Sequence, residues 1–357
     1  MSNFIFARSP FIIDVNEVNM IGSKIDVYIG QGMSLPAQPT YTLSKNSPST
    51  TNYRTVYNIS PFIREKINHN VYQSTYNTFG GNAPTSQWSR VRVVRYKRTM
   101  AGTSLLDTID YIALDGYGFY EEGYNPQLET YFLPQGTYYY NYDAAADFAT
   151  DQLSRVGHFN FEGDNNYTVK YTNLVSGANV TYTVTSYGVK EYPRMYSAYY
   201  AAGNKVELFD ASSVLIATWY FRPIVECRYE PVVIDFVNKF GSWQREWFFK
   251  ASFEQHEVKT TPYNLLQSNL VNYSVTQGQR KDFNINGQES IKVNSGSVNE
   301  VYYSTLLDVI MSERIMVNGK PAVVKSKSIA KLKDVNTKTF NYTLEFEYAF
   351  NTINNVI

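Results

Sequence analysis

Residues 229–252, YEPVVIDFVNKFGSWQREWFFKAS, set two strongly apolar segments on either side of a turn at Asn238, Lys239, Phe240 and Gly241. Val232–Val237 and Trp247–Phe249 are rich in β-branched and aromatic residues, and Gly241 permits a reversal between them. The stretch reads as a hairpin whose second arm begins near Trp243 and ends near Lys250. Such a hairpin is not stable alone in water, so other strands or a helix must cover it.

Elsewhere the period of two dominates. Ile25, Val27 and Ile29 share one face of a strand over 24–30, with Lys24, Asp26 and Tyr28 on the other. Residues 90–98 resume the strand pattern, and 341–349 alternate cleanly, with Tyr342, Leu344, Phe346 and Tyr348 on one face. Asn318-Gly319 between two apolar runs is the best hairpin signal in the chain. Asp115-Gly116 marks a tight turn and Gly118 a second special backbone position. Helix signals are few. Ser60 reads as an N-cap with Pro61 at the first helical position. Ala144–Leu153 reads as a helix, and Ser297–Glu300 as a capping box before Val301, Leu306, Leu307 and Ile310.

These patterns predict a mainly β chain of two or three β-sandwich-like domains with a few short helices. The expected division is an N-terminal β-domain over 1–142, an immunoglobulin-like β-sandwich module over 143–226, and a C-terminal β-domain over 227–357 with one capped helix at about 298–312. The middle assignment rests on strands every 8 to 12 residues with turns near Ser176-Gly177, Gly203-Asn204 and Asp210–Ser213. With 357 residues, several domains are the default.

Composition narrows function mostly by exclusion. Lys plus Arg and Asp plus Glu number 32 each, so no global field favours nucleic acid or an anionic membrane. No run approaches a membrane span, and the N-terminal stretch lacks a signal-peptide pattern, so a reducing, soluble compartment is expected. The single cysteine, Cys227, sits in an apolar run and is expected to be a buried structural thiol. Aromatic content reaches 16%, mostly from 32 tyrosines, which suit half-buried strands and wet interfaces alike.

No catalytic constellation stands out. His69, His158 and His256 lack metal-ligand spacing, and neither a nucleophile elbow nor a phosphate or dinucleotide loop is present. No catalytic residue, metal or cofactor is expected, and the chain reads as non-enzymatic. The acidic group Asp107, Asp110, Asp115, Glu121 and Glu122 could bind calcium or supply a glycosidase pair, but a solvated strand face plus a turn Asp is favoured.

Candidate interface residues come from three places. Arg90, Arg92 and Arg95 lie in the densest basic run, whose register shift at Val93-Val94 suggests a bulge or a twisted, charged edge strand. A charged edge that blocks unwanted pairing is the first reading, contact with an acidic protein neighbour the second and DNA a distant third. Tyr138, Tyr139 and Tyr140, like Tyr196, Tyr199 and Tyr200, could stack on sugars or serve as strand and interface content. Trp243 and Trp247 share one strand face, as core packing or as interface anchors.

Three stretches, YIALDGYGFYEEGYNP at 111–126, VVIDFVNKFGSWQREWFFKAS at 232–252 and the ending YTLEFEYAFNTINNVI, resemble virion structural proteins of tailed bacteriophages, notably of Bacteroidota. The order of capped helix, Asn-Gly hairpin and final amphipathic strand suits that class. The resemblance covers mainly 105–126 and 229–357, and it carries over no functional residue. It implies a ring-forming tail or baseplate-hub (distal-tail-like) subunit, made in the host cytoplasm and located in the virion. Its implied partners are copies of itself, six or twelve in a ring, and neighbouring tail or neck proteins, without specific nucleic acid or membrane. Loops 30–53 and 75–87 would be arms that order against neighbours. A neck (head-to-tail) connector and a carbohydrate-binding adhesin are the alternatives.

Overall fold

The computed structural model describes residues 4–69, 81–127, 131–142, 156–160, 167–184, 188–192, 194–264, 276, 278–330 and 339–354, without the side chains of 81, 82, 156–160, 184 and 191. The helix expected at Ala144–Leu153 lies outside these residues. The described structure is mainly β, with strands in several sheets and two short α-helices, consistent with β-sandwich-like domains. The chain divides into two compact units. One comprises Met1–Val225 with Val237–Glu246, the other Glu226–Phe236 with Trp247–Ile357.

The first unit begins with β1 (Phe4–Phe6), β2 (Ile12–Val15), β3 (Gly22–Ile29), β4 (Tyr41–Asn46), β5 (Thr55–Asn58) and α1 (Ser60–Arg64). After β6 (Gly81–Asn82) come two long strands, β7 (Trp88–Thr99) and β8 (Gly102–Leu114). A five-stranded sheet runs in the order β1-β8-β7-β3-β4, and β2 pairs with β5. Alternation decides which face is dry. Ile25, Val27, Ile29, Val91 and Val93 form one core with Ile13, Val15, Tyr57 and the α1 residue Ile63. At the end of this sheet, Phe4, Phe6, Ile112 and Leu114 turn to a second core with Trp88, Phe132 and Val189. The loop expected over 30–53 therefore contains a paired strand, β4, because Tyr41 and Leu43 pack on the first core.

The remaining strands of this unit are β9 (Gly136–Asn141), β10 (Val156–Asn160), β11 (Tyr167–Asn173), β12 (Asn179–Val184), β13 (Gly188–Tyr192), β14 (Asn204–Phe209) and β15 (Leu215–Ile224). They form a five-stranded sheet, β12-β11-β14-β15-β9, and a three-stranded one, β10-β13-β6. Strand pairing thus joins the stretches on either side of residue 142, with β9 parallel to β15 and β6 antiparallel to β13. The turns follow their side chains. Asn173 Oδ1 accepts from the Val175 and Ser176 amides ahead of Gly177 at φ 72°, and Asp210 Oδ1 accepts from Ser212 and Val214.

The second unit is organised by one seven-stranded sheet. Its strands are β16 (Val232–Val237), β17 (Trp243–Phe248), β18 (Phe253–Asn264), β19 (Arg280–Val298), β20 (Ile315–Val317), β21 (Lys320–Val324) and β22 (Phe340–Asn351), in the order β17-β16-β20-β21-β22-β19-β18. The hairpin read from 229–252 is present as β16–β17, and its tip, Val237–Glu246, counts with the first unit. β20 and β21 meet at Asn318-Gly319, whose φ angles of 49° and 76° are those of a tight hairpin turn. β22 buries Phe340, Tyr342, Leu344, Phe346 and Tyr348 on alternate positions, against Leu306 and Val309 of α2 (Tyr302–Met311).

Both helix starts differ in detail from their sequence signals. The Ser60 hydroxyl donates to the Ser9 carbonyl at 2.5 Å and accepts the Phe11 amide, so it ties a neighbouring loop instead of capping α1. Ser297 belongs to β19, and the Tyr302 amide at the start of α2 donates to Asn299 Oδ1. Asp115-Gly116 closes no hairpin; the chain bends there, and Gly116 serves space, since a Cβ would lie 2.4 Å from the Phe6 ring. Cys227 is exposed, not buried, because the apolar run ends at Val225 and residue 227 lies in the bend that follows β15.

Candidate assembly interface

The basic run occupies the middle of a sheet, not its edge. β7 lies between β8 and β3, and its register shift falls at Arg95/Tyr96, not at Val93-Val94. Antiparallel pairing sets Arg92 directly opposite Asp110 and Arg95 opposite Asp107. Arg92 binds Asp110 with two parallel bonds of 2.8 and 2.9 Å, while Arg90 reaches the same carboxylate at 2.7 Å. Arg95 holds Asp107 in the same two-pronged way, with Nε to Oδ1 at 2.7 Å, and donates to the Asp14 carbonyl at 2.6 Å. These charge-assisted bonds keep both carboxyls below the usual carboxylate range, most strongly through Arg92 for Asp110 and through Arg95 for Asp107.

The acidic group disperses in the same way. Asp115 faces Arg64 at 3.5 Å, and Glu122 takes Lys239 at 2.8 Å. Four of the five acidic residues thus answer five basic side chains at four separate places, an arrangement that disperses the carboxylates instead of converging them on one ion. Among the described residues no group of three or more His, Cys, Asp or Glu side chains is placed to hold a metal. Nor is any helix among them long and apolar enough to cross a membrane.

The aromatic candidates separate by strand parity. On β9, Tyr138 and Tyr140 turn into the core and Tyr139 turns outward, 45% exposed. Tyr138 stacks on Phe221 at 5.4 Å, and the Tyr140 hydroxyl donates to the Tyr200 carbonyl. Tyr196 and Tyr199 pack on one another edge to face at 4.9 Å, and Tyr196 also meets Tyr171. Trp243 is buried, edge-on to His69 at 6.4 Å, and Trp247 is half-buried and stacked on Phe249 at 6.3 Å.

An uncovered feature without a period-two stripe in the sequence lies in the second unit. β18 and β19 pair antiparallel from Phe253–Lys292 to Asn264–Arg280, and every residue of β18 is exposed, as are residues 280–285 of β19. β22 pairs with β19 as far as Gln288, Thr352 and Ile353 still bond to Gly287 and Asn286, and beyond that point the described ribbon consists of two strands. Phe253, Val258, Tyr263, Phe283 and Ile285 are all exposed along it. The Tyr263 and Phe283 rings meet edge to face at 6.2 Å. A thin ribbon with apolar side chains on water-facing surfaces, ending the sheet in an open strand, has the makings of a pairing surface.

Compared with known proteins, the sequence matches no family model, and no curated protein matches it to significance.

Proposed function

We propose that this chain is a non-enzymatic structural component of a tailed-phage particle, a ring-forming subunit of the tail or baseplate hub. The phage assignment rests on the resemblance of residues 111–126, 232–252 and the C-terminal strand. The assembly role rests on the β18–β19 ribbon, whose uncovered apolar residues and open edge call for a partner. Its action is then mechanical: subunits add to a symmetric ring, and burial of exposed strand surface holds each joint.

Several side chains that would serve other readings are committed elsewhere. Asp107 and Asp110 are clamped by arginines, and Tyr138 and Tyr140 face the core, which leaves Tyr139 outward on that strand. Native mass spectrometry of the purified chain, followed by negative-stain imaging, tests the proposal. A closed ring of six or twelve copies is the expected result. A chain that stays monomeric alone and also on isolated tail or neck assemblies would overturn it.

A further inference from the structure

The open edge of β18 is specific enough to name its occupant. The Gly287 carbonyl accepts the Thr352 amide at 2.8 Å, so Gly287 directs its backbone polar groups away from β18. Val258 is its direct partner across the ladder, and in an antiparallel pair both members point the same way relative to the join. Val258 therefore turns its N–H and C=O to the free side. Pro262 agrees independently. It has no N–H to give, and a proline within a ladder belongs with its nitrogen on the open edge. The register shift between Lys259 and Thr261 sets two steps on β18 against three on β19, so the extra residue lies on β19 and Pro262 keeps the parity of Val258.

We infer that β18 pairs antiparallel with β18 of a second copy, about a two-fold axis through Val258. Only registers that oppose residues of equal parity let the backbone groups meet. Centring on Val258 sets Glu257 against the partner's Lys259, and Lys259 against the partner's Glu257. It also sets Phe253 and Tyr263 against the partner's Tyr263 and Phe253. These four contacts fall at non-hydrogen-bonded positions, where cross-strand side chains lie closest. The neighbouring centres fail: Glu257 would face its own copy in one, and Lys259 its own copy in the other, like charges directly opposed. Centring on His256 loses the ion pairs altogether. The full exposure of β18 leaves the edge clear, and Phe253, Val258 and Tyr263 would be covered by the contact.

The contact is isologous, so it joins copies in pairs; it takes the open edge of β18, and a ring joint then falls to other exposed surface, the apolar side chains Phe283 and Ile285 of β19 among it. It stands on the β18 register and not on the phage reading. Sedimentation of the full chain over a concentration series tests it. The wild type is expected to show a reversible pairing step, weakened about tenfold by Lys259→Glu or by Glu257→Lys. The double exchange Glu257→Lys with Lys259→Glu restores the opposite charges and should restore pairing. In a Cys227→Ser background, Val258→Cys should cross-link to its own copy under an added oxidant, since hydrogen-bonded antiparallel partners sit about 5.5 Å apart at Cα, and Gln255→Cys should not. No pairing step, or one indifferent to all three charge variants, overturns the inference. Rings whose formation ignores these variants would leave the ring proposal standing without this contact; pairs without rings would do the reverse.

Discussion

Gly241 lies against the backbone of Asp115: a Cβ built on the glycine would stand 2.7 Å from the Asp115 N and C atoms. Its φ of 80° already favours glycine. Gly319 has nearly the same φ, 76°, yet nothing lies within 4 Å of the same imagined atom. The two positions separate strain from crowding. Gly319→Ala should cost about 1 kcal/mol, the backbone penalty alone. Gly241→Ala should cost about 3 kcal/mol or more, because overpacking against backbone adds to it. Urea titration of both variants measures the difference, and equal losses would refute this account of the hairpin tip.

Asn238 anchors the same tip with every polar atom in use. Its Oδ1 accepts the Phe240 and Ser242 amides, and its Nδ2 donates to the Phe132 carbonyl and to Gln244 Oε1, all while fully buried. Asn238→Ala leaves several buried groups without partners and should cost about 2–4 kcal/mol. Asn238→Asp should be worse at neutral pH, since a buried anion would replace the amide donors beside two acceptor oxygens. Chemical denaturation ranks the two; an Asp variant more stable than the Ala variant would contradict this placement of the amide.

The arginine-bound carboxylates give an acid-side signature. Asp107 and Asp110 have folded pKa values below their unfolded ones, so their contribution is fully present above the unfolded value, about 3.9. It is lost as pH falls through the folded values. Side-chain exposure of 39% and 29% lets solvent screen both pairs, which keeps their worth modest. The double variant Asp107→Asn with Asp110→Asn should be less stable by about 1–2 kcal/mol at neutral pH. Its deficit should begin to shrink below the unfolded value, about 3.9, and close only as pH falls through the lower folded values. A deficit independent of pH would mean that packing, not charge, is lost.

What the sequence made legible follows from how much each signal depends on distant partners. The β16–β17 hairpin, the Asn318-Gly319 turn and the alternation of β22 are local, and each is present. Arg90, Arg92 and Arg95 looked like an edge because the sequence alone does not say that β3 and β8 flank β7. Asp107 and Asp110 of the acidic run and Arg90, Arg92 and Arg95 of the basic run, read apart as two candidate sites, are one another's partners. Ser60 and Ser297 carry the right chemistry for caps, but Ser60 bonds to Ser9 and Phe11, far away in sequence. The β18–β19 ribbon escaped because Glu254–Pro262 is polar on both faces, so no period-two hydrophobic stripe marks it. Its trace was the succession of Val258, Thr260 and Thr261 ahead of Pro262, a weak signal by itself.

On β9 the neighbours Tyr138 and Tyr139 should behave as opposites. Tyr138 is buried, stacked on Phe221, and its hydroxyl donates to the Pro134 carbonyl at 2.6 Å. Tyr138→Ala removes a ring from the core and should cost about 3–5 kcal/mol. Tyr139→Ser removes only an outward ring from an edge strand, within about 0.5 kcal/mol of the wild type. Thermal unfolding of the two variants checks the parity directly. If Tyr139→Ser proved as damaging as Tyr138→Ala, the alternation of β9 would be wrong. If it left stability intact but weakened assembly, Tyr139 would join β18 as a contact residue.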